Sequence, residues 1–336
     1  MANEYWFSKV QYGVEQNRGT AVSANRLIVC PPFAIKSDRK PQLISGNYGI
    51  RAQYVKTHIY EYLVRDTLKI PNLYYDILPA LLSCSVDGNP NIAELTTGQG
   101  DYLWTFEPNL TGDGGQKSLT LEMGDDTQAF ECEYTMFERL RFSASIPQDG
   151  GDAPVSVEAD YFARQLTPTT FTSSPTIPSL QILNAKKSKL YIDNSWANVG
   201  TTLKSGILRS WDVEILSGLN PNFTGADELY FTSHGQSAFD ITLRMTLVGT
   251  SIANNLMTSL RNQTFGVYQL VVPGNQIGSG EYYLLSFRIG GYVEDFVPLN
   301  ENDRGINLSS VLIHGVYDNT AAKLFNVSVV NNRQTP

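Results

Sequence analysis

The chain has 336 residues, of which 42% are hydrophobic and only 17% are charged. This composition can build packed cores for about two domains and excludes bulk disorder. The net charge of −8 excludes the basic footprint of ordinary nucleic-acid-binding proteins. Residues 1–70 carry ten Lys or Arg against five Asp or Glu, whereas residues 71–167 carry four against sixteen. The acidic side chains are therefore concentrated in residues 71–167.

The first half of the chain is dominated by strand patterns. A helix is predicted over 73–84, where Pro79 should kink or split it. The strands that we predict after it lie near 102–107, 118–123, 129–134, 137–147 and 153–163. In the third of these, Phe130, Cys132 and Tyr134 alternate with two glutamates, which is typical of a strand with one face in a core.

The second half repeats this plan. The uncharged segment 165–181, rich in Pro, Ser and Thr, is the best linker candidate. A helix over 251–263, capped by Ser251, should precede five more strands. These strands are predicted near 266–273, 281–289, 292–298, 308–318 and 322–330, with a bulge or tight bend at Gly290-Gly291.

The predicted fold class is therefore all-β with minor α. The matched plans indicate two tandem β-sandwich or barrel domains, residues 1–167 and 168–336, each flanked by a short helix. Residue identity between the halves is negligible, so one sandwich followed by an unrelated β domain is the alternative.

No residue pattern indicates a catalytic site, a metal site or a cofactor. The three histidines form no ligand motif, and the three cysteines are too far apart for a metal site, so we expect reduced cytosolic thiols. The glycine-rich stretches 112–115 and 150–151 lack the lysine and the following helix of a phosphate-binding loop and are predicted to be turns. The start lacks signal-peptide features and no apolar run approaches a membrane span, so we predict no membrane association.

Several motifs resemble, in their order, the major tail (tail tube) proteins of long, non-contractile phage tails. In the first half these are Gly13-Val-Glu-Gln-Asn-Arg-Gly-Thr-Ala-Val22, Tyr102-Leu-Trp-Thr-Phe106, Ser118–Gly124, Phe130–Tyr134, Phe137–Ala144 and Val155–Ala159. Ser210–Phe223 and Phe239–Leu247 extend the resemblance more loosely into the second half. These are hydrophobic-pattern motifs, and the chain is longer than the short members of the family.

The resemblance implies a structural virion protein that is not an enzyme. Such proteins form stacked rings around a DNA channel, with an N-terminal arm and a long loop on each β-sandwich or barrel. Its implied partners are other copies of itself, the tape measure protein, the tail terminator and the distal tail protein. DNA would pass through without specific binding, and the tail would be assembled in the host cytoplasm. If both halves are tube domains, three chains would complete a trimeric ring with pseudo-sixfold symmetry.

Two sets of residues are candidates for these roles. A wall with the same sign of charge as DNA lets the duplex slide. The candidate channel-lining residues are Glu122, Asp125, Asp126, Glu131, Glu133, Glu158 and Asp160. The candidate inter-subunit residues, from the N-terminal segment and the basic loop 36–54, are Tyr5, Trp6, Phe7, Lys36, Arg39, Lys40 and Arg51.

Two other classes of protein remain open. A carbohydrate-binding β-sandwich module of a tail fibre or adhesin would use exposed aromatic residues and would not polymerise. A sandwich-fold hydrolase would need converging carboxylates or a triad, and no spacing in the chain nominates one.

Overall fold

A computed structural model describes residues 7–31, 34–225 and 227–336. The strands of the first half are β1 Lys9–Val14, β2 Arg26–Ile28, β3 Arg39–Ser45, β4 Tyr54–Tyr62, β5 Val64–Ile70, β6 Asn91–Glu94, β7 Tyr102–Phe106, β8 Leu119–Gly124, β9 Ala129–Ser145, β10 Ser156–Ala163 and β11 Thr167–Thr169. Those of the second half are β12 Lys189–Asp193, β13 Leu208–Leu216, β14 Leu219–Asn222, β15 Ser233–Gln236, β16 Asp240–Val248, β17 Gly266–Gln276, β18 Tyr282–Asp303, β19 Ile306–Gly315 and β20 Phe325–Asn331. This confirms the predicted all-β class.

Two short helices interrupt the strands, close to where the sequence placed them. The first is a 3-10 turn, Tyr75–Ile77, followed by α1, Leu78–Ser83. Pro79 does not kink this helix, because it lies in the first turn, where a missing N–H has no intrahelical partner to lose. The second helix, α2, spans Ser251–Arg261 and its N-cap is Thr250, so the predicted cap at Ser251 is wrong by one residue.

Seven antiparallel strands from both halves form one sheet, which we call the shared sheet. Its order is β5, β10, residues 136–145 of β9, β13, β16, β19 and residues 291–303 of β18. Alternate side chains such as Leu140, Val213 and Leu243 are fully buried on one face. The side chains between them point to the other face and are charged or polar.

Two flanking sheets complete the fold. The first contains β2, β1, β8, residues 129–135 of β9, and β11. The second contains β12, β17, residues 282–291 of β18, β20, β7 and β6. Phe287 of the second flanking sheet packs on Phe142 of the shared sheet, with ring centroids 5.1 Å apart. The second flanking sheet therefore lies on the buried face of the shared sheet, as in a β-sandwich.

The two halves repeat one pattern of strand pairing. In the first half, β5 pairs with β10, β10 with the end of β9, and the start of β9 with β8 and β11. In the second half, β16 pairs with β19, β19 with the end of β18, and the start of β18 with β17 and β20. In both halves the helix follows the first of these strands, so the halves share a topological repeat. The predicted plan of a helix followed by five strands differs from the structure, in which six strands, β6 to β11, follow α1 and four strands, β17 to β20, follow α2.

Two strands that the sequence divided are continuous. The predicted strands 129–134 and 137–147 are the single strand β9, and 281–289 and 292–298 are both part of β18. Each long strand leaves a flanking sheet and enters the shared sheet. Tyr134 marks this passage in β9 with a φ of 60°, and Gly291 marks it in β18, where a Cβ would lie 2.1 Å from the carbonyl oxygen of His314. The predicted bend at Gly290-Gly291 is therefore a change of partner inside one strand.

The repeated halves are joined through backbone pairing and a common core. β9 of the first half pairs with β13 of the second, and β7 of the first half pairs with β20 of the second. One hydrophobic cluster runs through residues of both halves. The predicted linker 165–181 contributes β11 and donates the Thr172 N–H to Glu122, so it packs on the first flanking sheet.

Candidate assembly surfaces

The shared sheet has two open edges. Among the described strands, β5 pairs only with β10, and residues 292–303 of β18 pair only with β19. Residues 36–38 lie outside the sheet and contact the start of β5. There the Leu63 N–H donates to the Asp38 carbonyl, and Lys36 pairs with Asp66. An open edge offers unpaired N–H and C=O groups to another strand.

The seam between β9 and β13 shows how such an edge is closed inside the chain. Ser145 to Arg139 of β9 face Ser210 to Leu216 of β13 in continuous antiparallel register. The guanidinium of Arg141 donates to Asp212 at 2.7 Å across this seam. The end of β9 corresponds to the end of β18 in the topological repeat. The end of β9 is paired with β13, whereas the corresponding end of β18 has no described strand on its outer side.

The exposed face of the shared sheet carries a lattice of ion pairs. Lys69 contacts Glu158 at 3.0 Å, and Arg139 contacts Asp160 at 2.7 Å and Glu214 at 3.3 Å. The charged side chains on this face are Arg65, Lys69, Arg139, Arg141 and Arg244, with Glu138, Glu158, Asp160, Asp212, Glu214, Asp240, Glu294 and Asp295. Eight carboxylates against five fixed cations make this face acidic.

The candidate channel-lining residues do not lie on one surface. Glu158 and Asp160 lie on the exposed face of the shared sheet. Glu131 and Glu133 precede Tyr134 and belong to the first flanking sheet, so they cannot share a wall with that pair. Asp125 and Asp126 lie in the β8–β9 turn, where Asp125 accepts the N–H groups of Thr127 and Gln128.

Glu122 does not fit the predicted channel-lining role. Its side chain is buried and accepts both the N–H and the hydroxyl of Thr172, each at 2.6 Å. Its strand neighbour in register is Glu131. Burial, with the charges of Glu122 and Glu15, raises the pKa of Glu131. The alternation of residues along β8 could not predict that Glu122 is buried, because the segment that covers it, at Thr172, is 50 residues further along the chain.

The candidate inter-subunit residues divide into two groups. Tyr5 and Trp6 lie outside the described residues, and Phe7 is 53% exposed. Arg39, Lys40 and Arg51 belong to an exposed hairpin, β3–β4, residues 39–62, which we call the arm. Lys36, just before it, pairs with Asp66 at 2.6 Å.

The arm is a two-stranded sheet that is exposed along almost its whole length. Its large apolar side chains include Leu43, Ile50 and Tyr54, between 47% and 65% exposed. An isolated two-stranded hairpin is marginally stable in water. Such a hairpin gains stability when a second surface covers it.

Sequence reasoning missed the histidine that bridges the last strands of the shared sheet. His314 of β19 contacts Asp240 of β16 at 2.8 Å through Nε2 and Glu294 of β18 at 3.0 Å through Nδ1. The hydrogen bond to Glu294, followed by the charge of Asp240, raises the pKa of His314. The sequence gives no local motif for this site, because the three residues are spread over 75 positions and meet only through the pairing of their strands.

A cavity of about 850 Å³ lies where the two halves meet. The Tyr134 hydroxyl and His234 Nδ1 are 3.1 Å apart on its wall, and Arg18 and Asp113 approach within 3.6 Å. Burial lowers the pKa of His234, which favours the neutral imidazole. Among the residues that the structure describes, no group of His, Cys, Asp or Glu has an arrangement suited to a metal ion.

Comparison with known proteins assigns no family to the chain. No protein-family model matches it, and no curated protein is significantly similar to it in sequence. Within the described ranges, no helix has the length and apolar character needed to cross a membrane.

Proposed function

We propose that this chain is a structural subunit that polymerises into stacked rings, forming the tail tube through which a phage delivers DNA to its host. The observation that carries the proposal is the shared sheet, which has an internal seam between repeats and an open edge at each end. An open strand edge at each end of a sheet can pair with an edge strand of a second copy.

The repeat also favours a particular ring. Each chain supplies two topologically equivalent units, and a heterologous interface generates a ring when its rotation closes. With six units around the axis, three chains would complete the ring. The end of β18 in one chain would lie beside the β5 edge of the next. Because these two strands run in the same direction within the sheet, they would pair in parallel, unlike the antiparallel β9–β13 seam within the chain.

The wall of the channel would be the exposed face of the shared sheet. This face includes Glu158 and Asp160 but not Glu131 and Glu133. Its carboxylates outnumber its cations, and four of its five cations are held in ion pairs, such as Arg139–Asp160. A guanidinium held by a carboxylate is less available to phosphate, so the duplex would pass without being retained.

The remaining assignments follow from a tail location. The partners would be the tape measure protein, the tail terminator and the distal tail protein, and the chain would reside in the virion tail after assembly in the host cytoplasm. No catalytic role and no cofactor are proposed.

Cryo-electron microscopy of the purified protein, with sedimentation velocity, tests the proposal. The expected result is rings or tubes with three chains per layer and a pseudo-sixfold repeat. A strictly monomeric profile at high micromolar concentration across several salt conditions would overturn it. Discrete particles that bind oligosaccharides would favour a carbohydrate-binding module instead.

A further inference from the structure

The arm and a second hairpin carry opposite charges. The arm contains Arg39, Lys40, Arg51 and Lys56 against the single acid Glu61. The hairpin that joins β18 to β19, residues 294–306, contains Glu294, Asp295, Glu301 and Asp303 against the single base Arg304, and we call it the acidic hairpin. The net charges are thus +3 and −3. Both elements are exposed.

The acidic hairpin also presents an apolar side chain under backbone strain. Between the Val297–Ser310 and Glu301–Leu308 pairs, three residues of β18 oppose one of β19. Leu299, in the middle of this bulge, has a φ of 55° and is 71% exposed. A left-handed backbone conformation costs free energy at a leucine, and the exposed Leu299 side chain does not offset this cost by burial within the chain. A partner that covers Leu299 would offset this cost.

The two hairpins lie at diagonally opposite corners of the shared sheet. Neighbouring strands are antiparallel throughout, so β5 and residues 291–303 of β18, with five strands between them, run in the same direction. The arm precedes the start of β5, whereas the tip of the acidic hairpin, residues 303–306, lies at the end of β18. They are therefore at opposite ends and opposite edges, about 30 Å apart across the strands alone. No hydrogen bond or ion pair joins them among the described residues of one chain.

We infer that the arm of one copy docks on the acidic hairpin of another copy in the next layer of the assembly. The occupant is a second copy because the chain itself carries the complementary surface, on the opposite end of the same sheet. Ion pairs between Arg51 or Lys56 and Glu301 or Asp303 would set the register, and the arm's Leu43 and Ile50 would cover Leu299. This inference rests on the proposed function, since it names the contact that stacks the rings.

Zero-length carbodiimide coupling of the wild-type assembly tests the contact directly. The reagent joins a lysine amine to a carboxylate only when they touch. Mixing ¹⁵N-labelled and unlabelled protein before assembly identifies links between copies by mass spectrometry. The expected links join Lys40 or Lys56 to Glu301 or Asp303 of a different copy. Intermolecular links that avoid the acidic hairpin while tubes are present would overturn the inference.

Charge reversal supplies the energetic test. Arg51→Glu/Lys56→Glu and Glu301→Lys/Asp303→Lys should each raise the concentration needed for tube formation at least about tenfold at low salt. The chain that carries all four substitutions should recover most of this loss. The matched controls are Lys189→Glu, at the exposed first residue of β12, and Asp152→Lys, in the β9–β10 turn, which should assemble as wild type.

The outcomes separate the inference from the proposed function. If the wild type does not assemble, the proposed function fails. If the wild type and all variants assemble alike, tubes form without this contact, so the inference is wrong and the arm is free for a different partner. If single rings persist in the reversed variants while tubes are lost, the contact joins layers as inferred.

Discussion

A buried carboxylate stabilises the point at which β9 leaves the first flanking sheet. Glu15 accepts the hydroxyls of Ser118 and Thr120, at 2.5 and 3.1 Å, and the N–H groups of Gly19 and Tyr134, at 2.6 and 2.9 Å. Tyr134 is the residue with a φ of 60°. The bond from Glu15 therefore stabilises a backbone conformation that a tyrosine rarely adopts.

Glu15→Ala should destabilise the protein strongly. Several buried donors would lose their acceptor together, and each buried donor without a partner costs about 1–3 kcal/mol. We expect the free energy of unfolding to fall by about 3 kcal/mol or more in urea titrations, with a smaller fall for Glu15→Gln, which keeps one acceptor oxygen. An unchanged urea midpoint for Glu15→Ala would contradict this account.

Glu131→Gln should stabilise the protein at neutral pH and not in acid. Burial and the nearby Glu122 and Glu15 raise the pKa of Glu131 above its unfolded value, so its charged form disfavours the fold. The penalty is absent below the unfolded pKa and grows as pH rises through the folded pKa. We expect a gain below about 1 kcal/mol at pH 7, because the side chain is partly exposed.

Thermal unfolding across pH measures this effect. The Tm difference between Glu131→Gln and wild type should be positive at pH 7 and should vanish near pH 4. Asp126→Asn, in the exposed β8–β9 turn, is the control for charge removal alone. A Tm difference that does not change with pH would show that the carboxylate of Glu131 is not destabilising.

At the scale of strands, His314 stabilises the pairing of β16, β19 and β18 at one open edge of the shared sheet. It joins β19 to β16 and β18, and its carboxylate partners raise its pKa. A histidine with a raised folded pKa stabilises the fold fully below its unfolded pKa, and this stability disappears as pH rises through the folded pKa. His314→Gln should therefore lower Tm at pH 6 and leave it nearly unchanged at pH 9.

The size of the His314 effect should be modest. All three side chains are about half exposed, so solvent screens the pair and the loss should stay below about 1 kcal/mol. Addition of salt at pH 6 should reduce the difference between variant and wild type. A larger loss at pH 9 than at pH 6 would show that packing, not charge, governs the site.

Period-2 alternation was sufficient to predict the strands but not their partners. The patterns near 118–123 and 153–163 correspond to β8 and β10 within a few residues. The bend in β9 was missed, because a positive φ at Tyr134 has no local signature when a distant carboxylate supports it. The same limit applies to Glu122, which looks exposed by alternation and is covered by a segment 50 residues further along the chain.

The pairings between strands that are distant in the chain could not be predicted from the sequence. The predicted division at 167/168 rests on composition, whereas the seam between β9 and β13 depends on which strand edges meet in space. The basic segment predicted as a loop over 36–54 lies largely in a β-hairpin over 39–62, which forms because β3 pairs with β4. Its proposed docking surface could be recognised only after the antiparallel order placed the two hairpins at opposite ends of one sheet.

At the scale of the molecule, the two halves should unfold together. They share one sheet and one hydrophobic cluster, and β7 of the first half is inserted beside β20 of the second. Trp104 of β7 is fully buried and donates its indole N–H to Asn331 and to the Arg333 carbonyl. The core of the second flanking sheet therefore depends on a residue from the first half.

Trp104→Ala should lower the stability of the whole chain. Truncation of a buried tryptophan costs about 3–5 kcal/mol. We expect a single transition at a lower Tm, superimposable by circular dichroism and by fluorescence, with Leu103→Ala, on the opposite face of the same strand, as a milder control. Two separate transitions in the wild type would contradict the coupling between the halves.

The β7–β20 pairing has a consequence for synthesis on the ribosome. Tyr102–Phe106 is synthesised well before its partner strand, Phe325–Asn331, which lies more than 200 residues further along the sequence. Until β20 has been synthesised, Trp104 and Phe106 have no strand to cover them, and the edge of β7 is available to other nascent chains. A chain truncated before Phe325 would therefore keep this edge open, so truncated chains should associate wrongly with one another.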